Sequence, residues 1–373
     1  MNSTLRGRGP RTIGSLAVVL LAGAALLAPA AGAASVRSLA AGEAELGYWT
    51  DTEIVIADGA GTQIRTFPDL PKFDLNGGVF AGEIPGKRRG AAHVDAFDIA
   101  TGERLYRIRN GRLPVVSAEG RKVFFFPTFH RDQYAESVWM RTAKGRVRRV
   151  ILFKAGPGFP GVPHGMSAGA FPLDIAVDEQ GRTLAVVAGL EPLRAFDVWV
   201  VDVKTREAFR VTRGRNSHNP SLSPDGSQLA VRVESPDPCP DPLYGEILVG
   251  KIRLITLYTE HSEFLSEWSC DLYYDTPRWI DDQTLIAVRV TKDETEELGY
   301  DLDIVKFDVP TGTITEVVTE GNPCCITASP SLGKVAYMFS DRDGFAVVDV
   351  ATGAVTDHPG NVYVPHLSGQ NRL

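Results

Sequence analysis

Short runs of Val, Ile and Phe recur along the chain, such as Val123 to Phe126, Leu184 to Val187 and Val198 to Val203. Several are apolar at consecutive positions instead of alternating with polar residues, the pattern of strands buried on both faces. No amphipathic helical pattern of ten or more residues occurs beyond the first 35. Between the runs, 37 glycines and 24 prolines are spread as punctuation, with no low-complexity linker or long polar tract to divide them. The pattern predicts a single all-β domain over 36–373.

The punctuation itself repeats. Asp-x-x-Thr-Gly lies between two strands at Asp98 to Gly102, Asp308 to Gly312 and Asp349 to Gly353. Asp202 to Arg206 is a copy without its Gly, Asp58 to Thr62 and Thr142 to Gly145 are looser versions, and Tyr258 to His261 is the weakest. Asp opens such a turn by bonding its own backbone, and Gly takes the positive φ that closes a tight hairpin. A second unit falls between these hairpins, best seen in Ser223-Pro224-Asp225-Gly226. Degenerate copies stand at Leu75 to Gly78, Ser117 to Gly120, Asp178 to Gly181, Asp281 to Thr284 and Ser329 to Gly333, with Leu367 to Asn371 as a truncated candidate. Two hairpins alternating with a period of about 40 to 60 residues describe a four-stranded meander, and meanders stacked radially make a β-propeller.

Segment 219–233, NPSLSPDGSQLAVRV, together with the order strand, D-x-x-T-G, strand, S-P-D-G, resembles the TolB-type, WD-like β-propeller repeat. The resemblance covers the chain after residue 36 but not the α/β domain that precedes the propeller in TolB, so Tol–Pal membrane biology is not carried over. The repeat is also similar to propellers fused to prolyl-peptidase hydrolase domains. Counting hairpins gives seven blades, or six if one weak unit is an insertion. Six full units would run from Leu70 to His358. The leftover hairpin Thr52 to Phe67 would then join a C-terminal strand near Val362 to Leu367 and close the ring.

The N-terminus predicts export. Arg6, Arg8 and Arg11 precede an apolar run from Ile13 to Leu27, followed by Ala28-Pro29-Ala30 and Ala31-Gly32-Ala33. These are the parts of a secretory signal peptide over 1–33, with no Arg-Arg pair and no lipoprotein cysteine. The alternative is an uncleaved anchor, since Thr12 to Val36 is uncharged. Cleavage leaves no membrane span and a secreted or extracytoplasmic protein. It moves the formal net charge from −7 to −10, which gives no general reason to bind nucleic acid. The charge is uneven, with 16 Lys or Arg against 6 Asp or Glu from Lys87 to Lys154. Such a sector is either solvated strand edges or a surface facing an anionic polymer or an acidic partner.

Catalytic motifs are weak. Gly165-Met166-Ser167-Ala168-Gly169 matches G-x-S-x-G, but it lies in a Gly/Pro-rich loop with no helix to follow, so no nucleophile elbow is expected. His130, His164, His218 and Asp132 show no ligand spacing, and Asp293 to Asp303 lacks the pattern of an EF-hand loop. No metal, cofactor or catalytic residue is assigned. Cys239, Cys270, Cys324 and Cys325 are an even set in an oxidising compartment, and three pairings are open. Cys239 with Cys270 would leave a strained vicinal pair; crossed pairings would relieve it.

Strand order puts both hairpin types on one face of the disc and the long connections on the other. The long set includes Pro127 to Glu136, Ala155 to Phe171, Arg213 to Asn219, Glu234 to Val249, Phe264 to Pro277 and Thr291 to Tyr300. It holds the four cysteines and the candidate binding residues His130, His164, His218, Trp268, Tyr273 and Tyr274. The sequence therefore reads as an exported, non-enzymatic binding or scaffold propeller for a protein, peptide or glycan. The alternative is a hydrolase or lyase of the propeller-lactonase kind with its site in the central funnel.

Overall fold

The computed structural model describes residues 46–50, 52–58, 62–87, 91–128, 137–153, 171–190, 195–214, 216–241, 245–259, 261–293, 299–319, 322–339, 343–359 and 363–367. The leader, His130, His164, Ser167 and the candidate turn after Leu367 lie outside them. The described residues form seven four-stranded antiparallel sheets and one two-stranded hairpin, Cys239–Asp241 with Gly245–Ile247. Blade 2 spans 73–109, blade 3 111–152, blade 4 171–210, blade 5 217–264, blade 6 272–318 and blade 7 323–359. Blade 1 combines Leu46–Trp49, Glu53–Ala57 and Gln63–Pro68 with Tyr363–Leu367, which runs antiparallel to Leu46–Trp49. Three N-terminal strands enter this sheet where the sequence suggested two.

Hydrophobic burial stacks the blades. Seven clusters each join two neighbouring blades, for example Phe124 and Val138 of blade 3 with Val186 and Val201 of blade 4. The cluster of Leu46 and Ala57 with Ala336, Phe345 and Val347 joins blade 7 back to blade 1. Both faces of each inner strand are therefore covered, which explains the unbroken apolar runs. Complete burial of one such Phe or Val contributes about 1.5–3 kcal/mol. The fourth strand of each blade lies outermost and more exposed, as in Thr313–Val318 and Val355–Pro359. The first strand of each blade, such as Ser217–Leu222 in blade 5, touches its counterparts in the adjacent blades and faces the axis.

The repeated turns hold as their chemistry requires. Asp98 Oδ1 accepts from the Thr101 amide at 2.8 Å and the Thr101 hydroxyl at 3.1 Å. Asp308 and Asp349 repeat this with Thr311 and Thr352. In the S-P-D-G turn, Ser223 Oγ donates to Asp225 Oδ1 at 2.7 Å and accepts from the Gln228 amide at 3.0 Å. Both turn types connect first to second and third to fourth strands, so they share one face. The remaining connections emerge on the other. Among the described residues no helix is long and apolar enough to cross a membrane.

Candidate binding site at the channel mouth

Five adjacent blades bulge where their first strands start. Register shifts fall between Arg112 and Val115, Pro172 and Asp174, His218 and Ser221, Asp275 and Arg278, and Cys324 and Thr327. In four of them the extra residue has positive φ: Leu113 at 50°, Asn219 at 48°, Thr276 at 45° and Cys325 at 51°. A left-handed residue other than Gly costs about 1–2 kcal/mol, and bulges re-aim side chains beside functional sites. All five sit on the face of the long connections, around the mouth of the channel.

The bulges are tied from blade to blade. Glu83 Oε2 of blade 2 accepts from the Leu113 amide of blade 3 at 2.9 Å. Asp275 Oδ1 accepts from its own neighbour, the Thr276 amide, at 2.6 Å. It also accepts from Asn219 Nδ2 of blade 5 at 3.1 Å.

A charged cluster adjoins the bulges of blades 5 and 6. Arg232 Nη1 meets Glu234 Oε1 at 2.9 Å, Arg232 Nε meets Asp275 Oδ1 at 3.4 Å, and His218 Nε2 meets Glu234 Oε2 at 3.3 Å. Gly250 admits this arrangement, since a Cβ there would come within 2.5 Å of Arg232 Nε. Burial pushes the Glu234 carboxyl up, but the His218 hydrogen bond and charge, with Arg232, hold it below its ordinary value. It is kept as a carboxylate.

The structure sorts the sequence candidates. His218 belongs to the cluster, with its ring edge-on to Phe196 at 4.9 Å. Trp268 lies in the connection from blade 5 to blade 6, 5.5 Å from the Lys251 ammonium, which sits 3.6 Å over Phe264. Tyr273 packs half-buried against the core of blades 6 and 7, edge-on to Tyr300 at 6.3 Å. Tyr274, 6% exposed, is a core residue between blades 5 and 6 and offers almost no surface to a ligand. Cys239 and Cys270 form a disulfide with Cα atoms 5.4 Å apart, fastening the extra hairpin of blade 5 to the connection into blade 6. Cys324 and Cys325 take no part in that bridge.

Asn219, Arg232, Glu234 and Asp275 escape the sequence reading. The available signal is the x-Pro step that recurs in first strands at Leu113-Pro114, Asn219-Pro220 and Thr276-Pro277.

The basic sector is partly neutralised. Arg104 and Arg107 pair with Asp95, Arg121 pairs with Glu119, and the Arg141 guanidinium lies 3.4 Å over the Tyr106 ring. Arg109, Arg112, Lys144, Arg146 and Arg149 are exposed. The outer strand of blade 4 is only three residues long, Ala208–Arg210. A groove of about 480 Å³ opens there between blades 3 and 4, lined by Arg149, Ile151, Phe153, Trp199 and Arg206.

No family profile matches the chain, and no curated protein does. Solved structures do. The tricorn protease superposes with a TM-score of 0.60 at 14% identity, covering 87% of this chain and 34% of that one. A prolyl endopeptidase gives 0.60 at 10% identity over 86% of this chain and 50% of that one. An oligogalacturonate lyase in complex with manganese gives 0.57 at 15% identity, covering 86% of each chain. The shared element is the propeller. At these identities the likeness establishes fold alone, so function rests on the residues of this chain. The blade order observed, with its two alternating hairpins, is that of a β-propeller of four-stranded blades.

Proposed function

We propose that the protein is an extracytoplasmic binding propeller that takes a protein, peptide or glycan at the mouth face, without catalysing a reaction on it. The carrying observation is the run of five adjacent bulges, which turns the starts of the first strands toward the mouth on the side of the long connections. His218, Asn219 and Asp275 supply donors and acceptors already fixed by their neighbours, so binding would cost little further ordering there, and Arg112 adds an exposed guanidinium. Glu234 is held ionised, which suits orientation of charge and not proton donation. The Cys239–Cys270 disulfide is compatible with an oxidising compartment.

Photo-cross-linking tests this reading. A benzophenone amino acid at Arg112 is expected to capture a defined partner from the producing cell. The same group at Lys144, on the hairpin face, is expected to capture none. Cross-linking from 144 with none from 112 would overturn the assignment of the face. Turnover of a substrate abolished by Glu234→Gln would overturn the non-enzymatic reading.

A further inference from the structure

Blade 7 opens at the mouth with two consecutive cysteines. Cys325 is the left-handed bulge residue and is exposed, while Cys324 is half-buried and hydrogen-bonded through its thiol to Cys325. The ladder pairs Cys324 directly with Met338 on the second strand of the blade. Opposed residues project from the same face of a sheet with Cβ atoms about 4.5–5.5 Å apart. That face is the one toward blade 1, where Met338 packs against the cluster of Leu46, Ala57 and Phe345. The Cys324 thiol thus has the Cys325 thiol beside it along the strand and the Met338 side chain opposite it across the ladder, at the edge of an apolar interface.

We propose that Cys324, Cys325 and Met338 form a binding site for Cu(I). Thiolate and thioether sulfurs select this soft monovalent cation. Zinc asks for four nitrogen or sulfur ligands, and calcium or magnesium for oxygens. Among the described residues no group of three His, Cys, Asp or Glu is placed to hold one of these harder ions. Binding breaks both S–H bonds and forms two Cu–thiolate bonds and one Cu–thioether bond. One Cu(I) enters, two protons leave, and no atom changes oxidation state. Two adjacent thiolates repel each other, and a cation bound to both removes that repulsion.

The test is a Cu(I) titration of the exported, full-length protein without oxygen, against the chelator bathocuproine disulfonate. One Cu(I) per chain is expected. Cys324→Ser and Cys325→Ser should each weaken binding by more than the about 10–100-fold typical of a lost outer-shell partner. Met338→Leu conserves volume, so an unchanged melting curve with weaker Cu(I) binding separates ligation from folding. Cys239→Ser with Cys270→Ser should leave the affinity unchanged. A wild type that holds Cu(I) no better than the Cys324→Ser, Cys325→Ser double variant overturns the proposal. So does an exported protein whose Cys324 and Cys325 are disulfide-linked and which takes up no Cu(I) after reduction.

Discussion

Asn219 Nδ2 donates to Asp275 Oδ1 at 3.1 Å, joining the first strands of blades 5 and 6 at their bulges. The same carboxylate oxygen holds the left-handed Thr276 amide and faces Arg232. One oxygen thus supports two strained backbone positions. Asp275→Ala is expected to lower stability by about 1–3 kcal/mol, the cost of leaving such donors unmatched. The ion pair itself adds little, because the Asp275 side chain is 32% exposed. Asp275→Asn keeps the acceptor and should recover most of the loss. Urea unfolding of the three proteins reads this directly, and an Asp275→Ala midpoint equal to wild type would contradict it.

The disulfide closes a loop of 31 residues in sequence separation. Cross-linking a loop of that length restricts the unfolded chain by about 3–4 kcal/mol. The Cys239→Ser, Cys270→Ser double variant should lose stability on that scale while keeping its propeller fold. Guanidinium unfolding monitored by circular dichroism measures both. A variant as stable as the oxidised parent would mean that the unfolded loop is already restricted.

Much of this architecture is legible because turns leave strong local marks. Asp98, Asp308 and Asp349 need only their own Thr and Gly to fold back, so the hairpins announce themselves and the seven-blade count follows. Strand Leu46–Trp49 is missed because its turn is closed by the Thr50 hydroxyl, which accepts from the Glu53 amide at 3.2 Å, with neither Gly nor Pro present. The mouth is illegible for a different reason. Arg232 and Glu234 read as ordinary alternation in AVRVE, and only the arrival of Asp275 from blade 6 gives Arg232 its second carboxylate. Tyr274 misleads in the opposite sense, since an aromatic beside a long connection looks like surface until blade 5 covers it.

Tyr363–Leu367 pairs with Leu46–Trp49 and lies innermost in blade 1. Deleting 362–373 would leave the inner edge of that sheet unpaired and open the contact with blade 7. The truncated protein is expected to melt at lower temperature and to aggregate. An unchanged melting temperature would show that the last strand is dispensable to the ring.

Asp74 is fully buried, with Oδ2 accepting from the Val116 amide at 2.6 Å and Oδ1 from the Leu75 amide at 2.9 Å. Burial pushes its carboxyl well above the ordinary range despite both bonds. The folded state therefore binds this proton more tightly than the unfolded state. The linked stability is fully present below the unfolded value of about 3.9 and declines as pH rises through the raised folded value. Asp74→Asn cannot titrate, so wild type should lose stability relative to it as pH increases from about 4 to 7. Urea midpoints across that range supply the measurement. A constant difference between the two proteins would place the folded carboxyl at its ordinary value.

The hairpins of blades 4 and 7 isolate the energetic weight of one backbone angle. In blade 7, Gly353 has φ 70° and no atom within 4 Å of where a Cβ would stand. In blade 4 the equivalent residue is Arg206, at φ 67°. Both amides bond back to the carbonyl of the turn's Asp, Arg206 to Asp202 at 2.7 Å and Gly353 to Asp349 at 2.8 Å. Arg206 thus adopts a conformation that costs an L residue about 1–2 kcal/mol. Glycine removes this strain but loses about 0.5–1 kcal/mol of it again through the freedom of the unfolded chain. Arg206→Gly should therefore stabilise by about 0.5–1 kcal/mol. Gly353→Ala should destabilise by a similar amount, since space at that turn is open and only φ opposes the new methyl group. Paired urea titrations decide the matter. Shifts of the same sign in the two variants would show that contacts of the Arg206 side chain, and not its backbone angle, set the stability of that turn.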